Sequence, residues 1–132
     1  MSVKSKDPMM RKRSNWSLSC WQLNTQHSIA SSSYCSKVLI RSSEGTVVMI
    51  QEPYFTKGGK INLGRGIGIM SSGNKPRACI AYKNVELCYC PFFSSRDVVT
   101  CIGKWSRRNL YIVSAYLDGT IDEILEALSK VL

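Results

Sequence analysis

The spacing of apolar residues along the chain changes between a two-residue and a helical period, and this change predicts both strands and helices. Short apolar runs rich in β-branched residues predict strands at residues 18–24, 46–51, 77–83, 85–90, 97–102 and 109–117. The run 46–51 is almost wholly apolar, so we expect that strand to be buried on both faces. Residues 54–76 are rich in glycine and predict a long connection.

Two other segments place their apolar residues on one helical face. They are residues 28–41, through Ala30, Tyr34, Cys35, Val38 and Leu39, and residues 120–132, through Ile121, Ile124, Leu125, Leu128, Val131 and Leu132. Thr120 and Glu123 form a capping box at the start of the second helix. The order of elements predicts a mixed α/β fold in which two helices cover one face of a sheet. We expect something else to cover the other face.

Length and composition narrow the class of protein. A chain of 132 residues with 44% hydrophobic residues is typical of one globular domain. Its apolar runs are shorter than the roughly 18 residues of a membrane span, and no apolar stretch follows the N-terminal charges as in a secretory signal. We therefore expect a nuclear or cytoplasmic protein that is not secreted and has no membrane partner. Residues 1–15 predict a basic disordered leader, and residues 16–132 the folded domain.

The six cysteines agree with that compartment, because they lie in apolar segments without a C-x-x-C pair. The usual zinc-ligand spacings are absent, and His27 is the only histidine. We expect reduced, mostly buried thiols.

Basic residues are concentrated in three clusters. The chain has 18 Lys and Arg against 9 Asp and Glu, a formal charge of +9, and residues 57–85 contain six cations and no acid. This distribution favours a polyanionic partner, although a solvated surface with a flexible tail has the same composition. The stretch 64–68, Gly-Arg-Gly-Ile-Gly, resembles a phosphate-binding loop only loosely. The predicted nucleic-acid-binding residues are Lys57, Lys60, Arg65, Lys75 and Arg77.

Polar side chains stand at the ends of three predicted strands. Asn24 and Glu52 each follow an apolar run, and such strand ends converge on a common crevice in α/β proteins. One carboxylate beside basic loops suits Mg²⁺, whereas the alternative is that Glu52 pairs with a nearby lysine. Tyr116 ends a third strand, where its hydroxyl either contacts a phosphate oxygen or simply faces water. His27 is expected to be a local hydrogen-bonding residue.

Five short motifs resemble one family when read in order. They are residues 22–28 (Gln-Leu-Asn-Thr-Gln-His-Ser), 50–54 (Ile-Gln-Glu-Pro-Tyr), 76–80 (Pro-Arg-Ala-Cys-Ile), 95–99 (Ser-Arg-Asp-Val-Val) and 114–117 (Ser-Ala-Tyr-Leu). Residues 18–132 resemble the endonuclease domain of non-LTR retrotransposons, in the endonuclease/exonuclease/phosphatase superfamily related to apurinic/apyrimidinic endonucleases. The resemblance implies a two-sheet, DNase-I-like α/β sandwich and Mg²⁺- or Mn²⁺-dependent nicking of target DNA.

The resemblance also implies roles for three residues. Glu52 matches the metal-binding glutamate, Asn24 the asparagine that helps to orient the metal, and Tyr116 the tyrosine that contacts the phosphate. The family's later Gly-Asp-Phe/Leu-Asn and Ser-Asp-His motifs do not occur. We therefore expect the N-terminal part of such a domain, inactive alone.

The implied partners are DNA and a reverse transcriptase domain on the same polyprotein, absent here, with no small-molecule cofactor. The alternative function is that of a non-catalytic, basic nucleic-acid-binding remnant.

Overall fold

The computed structural model describes residues 2–4, 17–105 and 107–117, together with Glu126 and Ser129. In this part of the chain, the strands form two β-sheets, and one α-helix accompanies them. The elements are β1 (Ser2–Lys4), β2 (Ser17–Asn24), α1 (Ile29–Arg41), β3 (Gly45–Gln51), β4 (Gly68–Met70), β5 (Ala78–Lys83), β6 (Leu87–Tyr89), a 3₁₀ turn (Pro91–Phe93), β7 (Val98–Trp105) and β8 (Arg108–Ala115).

The first sheet has five strands in the order β1-β2-β3-β5-β4. Strands β2 and β3 are parallel and are connected through α1, while the other neighbours are antiparallel. Helix α1 begins after Ser28, whose hydroxyl accepts a hydrogen bond from the Ser31 amide, and this satisfies one of the free N–H groups of the first turn. Strand β4 lies inside the segment that the sequence predicted as an irregular connection.

The second sheet is antiparallel, in the order β6-β7-β8. The expectation of one sheet with helices on one face is therefore incomplete, because the predicted strands divide between two sheets. The apolar face that needed a cover packs against this second sheet. The core between the sheets contains Val47, Ala78 and Ile80 from the first and Val99, Cys101 and Ile112 from the second.

A second core lies between the first sheet and α1. Val48 and Ile50 alternate along β3 with the residues that face the other sheet, and they pack with Cys35 and Leu39 of the helix. Leu63, from the connection between β3 and β4, closes the same core. Strand β3 is thus buried on both faces, which confirms the prediction drawn from its apolar sequence.

The two ends of the chain are described only in part. Three residues of the predicted leader, Ser2–Lys4, form β1 and pair with β2. The rest of that leader and the predicted helix at 120–132 lie outside the described residues, except for Glu126 and Ser129. No helix in the described ranges is long and apolar enough to cross a membrane.

Candidate functional site

The strand ends selected from the sequence meet at one end of the molecule. Asn24 pairs with Gln51 in the parallel ladder, so Asn24 and Glu52 leave β2 and β3 side by side. Strand β5 is antiparallel to β3 and therefore begins at the same end, directly after Arg77. In the second sheet, β7 begins after Asp97 and β8 ends before Tyr116. We call this the site end, defined by Asn24, Glu52, Arg77, Asp97 and Tyr116.

The backbone of Glu52 is held in an uncommon conformation. Its φ of 50° lies in the left-handed region, which costs a non-glycine residue roughly 1–2 kcal/mol. The Glu52 amide donates to the Arg77 carbonyl at 2.8 Å, and the Glu52 carbonyl accepts from the His27 amide at 2.8 Å and from the hydroxyl of the buried Thr25. These hydrogen bonds hold the backbone that projects the Glu52 side chain at the site end.

Glu52 is half-buried as a residue. Among the described residues its carboxylate forms no ion pair or hydrogen bond; the salt bridge there joins Arg77 and Asp97 instead. The lysine pairing considered from the sequence is therefore not found within the described ranges. An acid held at a strand end with its oxygens uncommitted is available to a ligand.

The turn after β2 carries Asn24 and His27. The Asn24 side-chain oxygen accepts from the Gln26 amide at 2.9 Å, and both Gln26 and His27 have positive φ. The Nδ1 atom of His27 lies 3.0 Å from the Pro53 carbonyl, and its ring stacks on Phe55. His27 is thus a local hydrogen-bonding residue, as predicted. Asn24 is exposed, and its oxygen keeps a second lone pair.

Arg77, Asp97 and Tyr116 form a second group at the site end. The Arg77 guanidinium donates to both carboxylate oxygens of Asp97, at 2.7 and 2.5 Å. Its central carbon lies 4.8 Å from the centre of the Tyr116 ring, within cation–π range. The Tyr116 amide donates to the Asp97 carbonyl at 2.8 Å. The sequence named Arg77 and Tyr116 separately but did not predict that Asp97 connects them.

A buried hydrogen bond joins the two sheets just behind this group. The side-chain amide of Gln51 donates to the Ser114 hydroxyl at 3.1 Å, and that hydroxyl donates to the backbone carbonyl of Ile50 at 3.2 Å. Gln51 is 8% exposed and Ser114 is 1% exposed. The sequence shows that Gln51 and Ser114 are polar residues near the ends of apolar strands, but it does not show that they are hydrogen-bonded to each other.

The predicted nucleic-acid-binding cations are not equivalent in the structure. Lys57, Lys60 and Arg65 are exposed in the connection between β3 and β4. Lys75 is also exposed and lies three residues before β5 begins at the site end. Arg77 differs because its side chain is 27% exposed and paired with Asp97. The exposed cations are therefore the first four, and Arg65 differs from the others because its segment lies at the end of the first sheet opposite to the site end.

The glycine-rich stretch at 64–68 has a packing reason at its last position. A Cβ at Gly68 would lie 2.2 Å from Cζ of the Tyr82 ring, so only glycine fits beneath that ring. Gly68 also begins strand β4 rather than a helix. The loose likeness to a phosphate-binding loop therefore has no support in this geometry.

The cysteines are all free thiols, of which Cys35, Cys79 and Cys101 are buried. Burial raises the pKa of the Cys79 thiol to about 12 and that of Cys35 to about 11. No group of three or more His, Cys, Asp or Glu side chains within the described part of the chain is arranged to hold a metal ion. A metal at the site end would depend on Glu52 and neutral oxygen donors.

Comparisons with known proteins bear on the fold. No protein-family model and no curated protein sequence matches the chain. Among solved structures, it is similar to the endonuclease domain of TRAS1, a telomere-specific non-LTR retrotransposon, with a TM-score of 0.64 and 20% identity. The match covers 84% of this chain and 52% of that structure, so the chain spans about half its length. The chain therefore has the two-sheet α/β fold of a retrotransposon endonuclease domain, as the sequence resemblance implied.

Proposed function

We propose that this chain is part of a magnesium-dependent DNA endonuclease domain of the non-LTR retrotransposon type, which nicks target DNA. The observation that carries the proposal is the carboxylate of Glu52, uncommitted among the described residues and held at the end that also contains Asn24 and Tyr116. The similarity to a retrotransposon endonuclease domain supports a nuclease role at the level of the fold.

Glu52 and Asn24 are the proposed metal-binding residues. Mg²⁺ prefers hard oxygen donors, and its sites often contain one or two carboxylates completed by water and phosphate oxygens. The Glu52 carboxylate and the second lone pair of the Asn24 amide oxygen fit that donor set. When bound, Mg²⁺ or Mn²⁺ would stabilise the negative charge that develops on phosphate oxygens. The backbone contacts of Glu52 would limit the motion of that ligand.

Tyr116 and the exposed cations are proposed to contact the DNA. A phenol hydroxyl is a suitable donor to a phosphate oxygen, and Tyr116 leaves β8 at the same end as Glu52. Lys57, Lys60 and Lys75 would bind backbone phosphates near the site, and Arg65 would bind them at the opposite end of the first sheet.

The metal proposal is tested by Mn²⁺ binding to the whole chain, followed by electron paramagnetic resonance. We expect Glu52→Gln to lower the affinity about tenfold or more, because it removes the charged ligand. Glu86→Gln makes the same chemical change at an exposed residue near β6 and is the matched control. Equal affinities for the two variants would contradict the proposal.

We further propose that this chain alone does not cleave DNA efficiently. Hydrolysis requires a group that activates water, and the described site-end side chains offer few candidates. Asp97 is paired with Arg77, and His27 is engaged with Pro53 and Phe55. Supercoiled plasmid incubated with the chain and Mg²⁺ should show no nicking beyond that of Glu52→Gln. Nicking that depends on Glu52 would contradict this inactivity.

A second candidate is a non-catalytic nucleic-acid-binding module, favoured by the exposure of Lys57, Lys60, Arg65 and Lys75. Binding of labelled duplex DNA would weaken as salt rises, with a slope set by the number of phosphates contacted. In the double variant Lys57→Gln/Lys60→Gln, that slope should decrease by about 2.

The matched control for this measurement is Lys104→Gln/Arg108→Gln. It removes the same charge from the β7–β8 hairpin, about 23 Å from the start of β7. An equal effect of both double variants would indicate general electrostatics rather than a defined surface. DNA binding without Glu52-dependent metal binding would favour the module over the nuclease.

A role in target nicking would place the protein in the nucleus or cytoplasm. It would also require a reverse transcriptase domain of the same polyprotein as its functional partner. Both statements rest on the proposed function.

A further inference from the structure

Arg77 is the residue that connects the two halves of the site end. Its carbonyl accepts the hydrogen bond from the Glu52 amide, and its own amide donates to the Arg96 carbonyl at 2.7 Å. Its side chain then reaches Asp97 and the Tyr116 ring. Arg77 therefore contacts Glu52, the proposed metal-binding residue, through its backbone. It contacts Tyr116, the residue proposed to bind the phosphate, through its side chain.

The contacts on the tyrosine side restrict its position from two directions. The paired hydrogen bonds between Arg77 and Asp97 fix the plane of the guanidinium, since a two-point contact cannot rotate freely. That plane lies against the Tyr116 ring, while the Asp97 carbonyl holds the Tyr116 amide. Asp97 is itself held by its amide, which donates to the Ser95 hydroxyl at 3.3 Å.

The pair is poorly placed to serve mainly as a DNA contact. The Arg77 and Asp97 side chains are only 27% and 18% exposed, whereas the cations at 57, 60 and 65 belong to exposed residues. The Asp97 carboxylate also offsets the positive charge of Arg77, which would otherwise attract a phosphate. Its geometry suits a structural link within the site better than an anion-binding surface.

We infer that Arg77 and Asp97 are positioning residues, which set the location of the Tyr116 ring relative to Glu52. This inference rests on the proposed function for its purpose. The geometric part concerns only the described side chains and is testable without metal or DNA.

The experiment uses the whole chain labelled with 3-fluorotyrosine and observed by ¹⁹F NMR. The Tyr116 signal is identified by its loss in Tyr116→Phe. We expect Arg77→Gln and Asp97→Asn each to shift the Tyr116 signal towards that of free fluorotyrosine, because the first removes the cation at the ring and the second removes the carboxylate that fixes the guanidinium there. The signals of the other tyrosines should stay in place and report that the fold is intact. Arg96→Gln, at an exposed neighbouring arginine, should leave the Tyr116 signal unchanged.

A second measurement adds Mn²⁺, which broadens signals close to the bound ion. The Tyr116 signal of the unmodified chain should broaden, and this broadening should be largely lost in Arg77→Gln and Asp97→Asn while Mn²⁺ still binds. If Mn²⁺ does not bind the unmodified chain, the proposed metal site fails, but the metal-free shifts still decide the inference.

An unchanged Tyr116 signal in both variants would overturn the inference. Collapse of all the tyrosine signals in both variants would also overturn it, because the pair would then maintain the fold rather than one ring.

Discussion

The two ends of the first sheet use polar side chains in different ways. At the far end, defined by Ser42, Glu44, Lys83 and Asn84, the side chains of Ser42, Lys83 and Asn84 donate to backbone carbonyls. The Lys83 ammonium donates to the carbonyls of Ile40 and Ser42 at 2.7 and 3.1 Å, where the last turn of α1 leaves acceptors unpaired. At the site end the backbone holds Glu52, and its carboxylate stays uncommitted among the described residues.

The distribution of backbone strain follows the same division. Gln26, His27, Glu52 and Lys75 all have positive φ near the site end. At the far end of the first sheet the corresponding residue is Asn84, a type that adopts this conformation readily, as histidine also does, and Arg107 in the β7–β8 hairpin has a positive φ as well. Strain that is held by surrounding hydrogen bonds is typical of functional positions, whereas the far end follows local preference. The difference agrees with the proposal that the site end binds a ligand, whereas the contacts at the far end stabilise the fold.

The largest expected effect concerns the buried hydrogen bond behind the site. Ser114→Ala should lower the free energy of unfolding by about 2 kcal/mol, because the Gln51 amide loses its partner in the core. Ser43→Ala removes the same hydroxyl from an exposed position at the far end and should change stability by less than about 0.5 kcal/mol. Urea denaturation measures both. Equal losses of unfolding free energy in the two variants would mean that the hydrogen bond between Gln51 and Ser114 adds no specific stability.

A smaller effect is expected from the far end. Lys83→Met keeps the aliphatic stem but removes the donor to the carbonyls at the end of α1, so stability should fall by about 1 kcal/mol. Mn²⁺ binding, followed by electron paramagnetic resonance, should be unaffected in the same variant. A loss of metal affinity without a loss of stability would contradict the division between the ends.

The smallest effect has the opposite sign. Glu52→Asn should raise the free energy of unfolding by about 0.5 kcal/mol, because asparagine tolerates left-handed backbone better than glutamate. Glu52→Gln removes the charge without that backbone preference and serves as the control in the same urea titrations. If Glu52→Asn is the less stable of the two, the strain assigned to this position is absent.

Much of the fold followed from local pattern. Residues 46–51 predict strand β3 because they are almost wholly apolar, and Cys35 and Leu39 predict α1 because they repeat at helical spacing. The division into two sheets was not contained in those patterns. Local periodicity states that a strand is buried on both faces but not which element covers each face. The family resemblance supplied that information, and the structural comparison confirmed it at the level of the fold.

The candidate site was predictable only in part. Asn24, Glu52 and Tyr116 were identified as strand ends, and the parallel β2–β3 pair with the antiparallel β5 explains why such ends meet. The pairing of Arg77 with Asp97 spans 20 positions and depends on how the sheets stack, so no local pattern could predict it. The sequence alone therefore places Arg77 among the predicted nucleic-acid-binding cations.

The most direct test of the account is a Mg²⁺ titration of the ¹⁵N-labelled chain followed by NMR. We predict saturable shifts confined to the amides of the site end, at 24–27, 51, 52, 77 and 116, with those at 42–44 and 83–86 unchanged. Glu52→Gln should abolish the shifts. Shifts centred on the far end, or shifts that persist in Glu52→Gln, would contradict the claim that Glu52 forms a metal site.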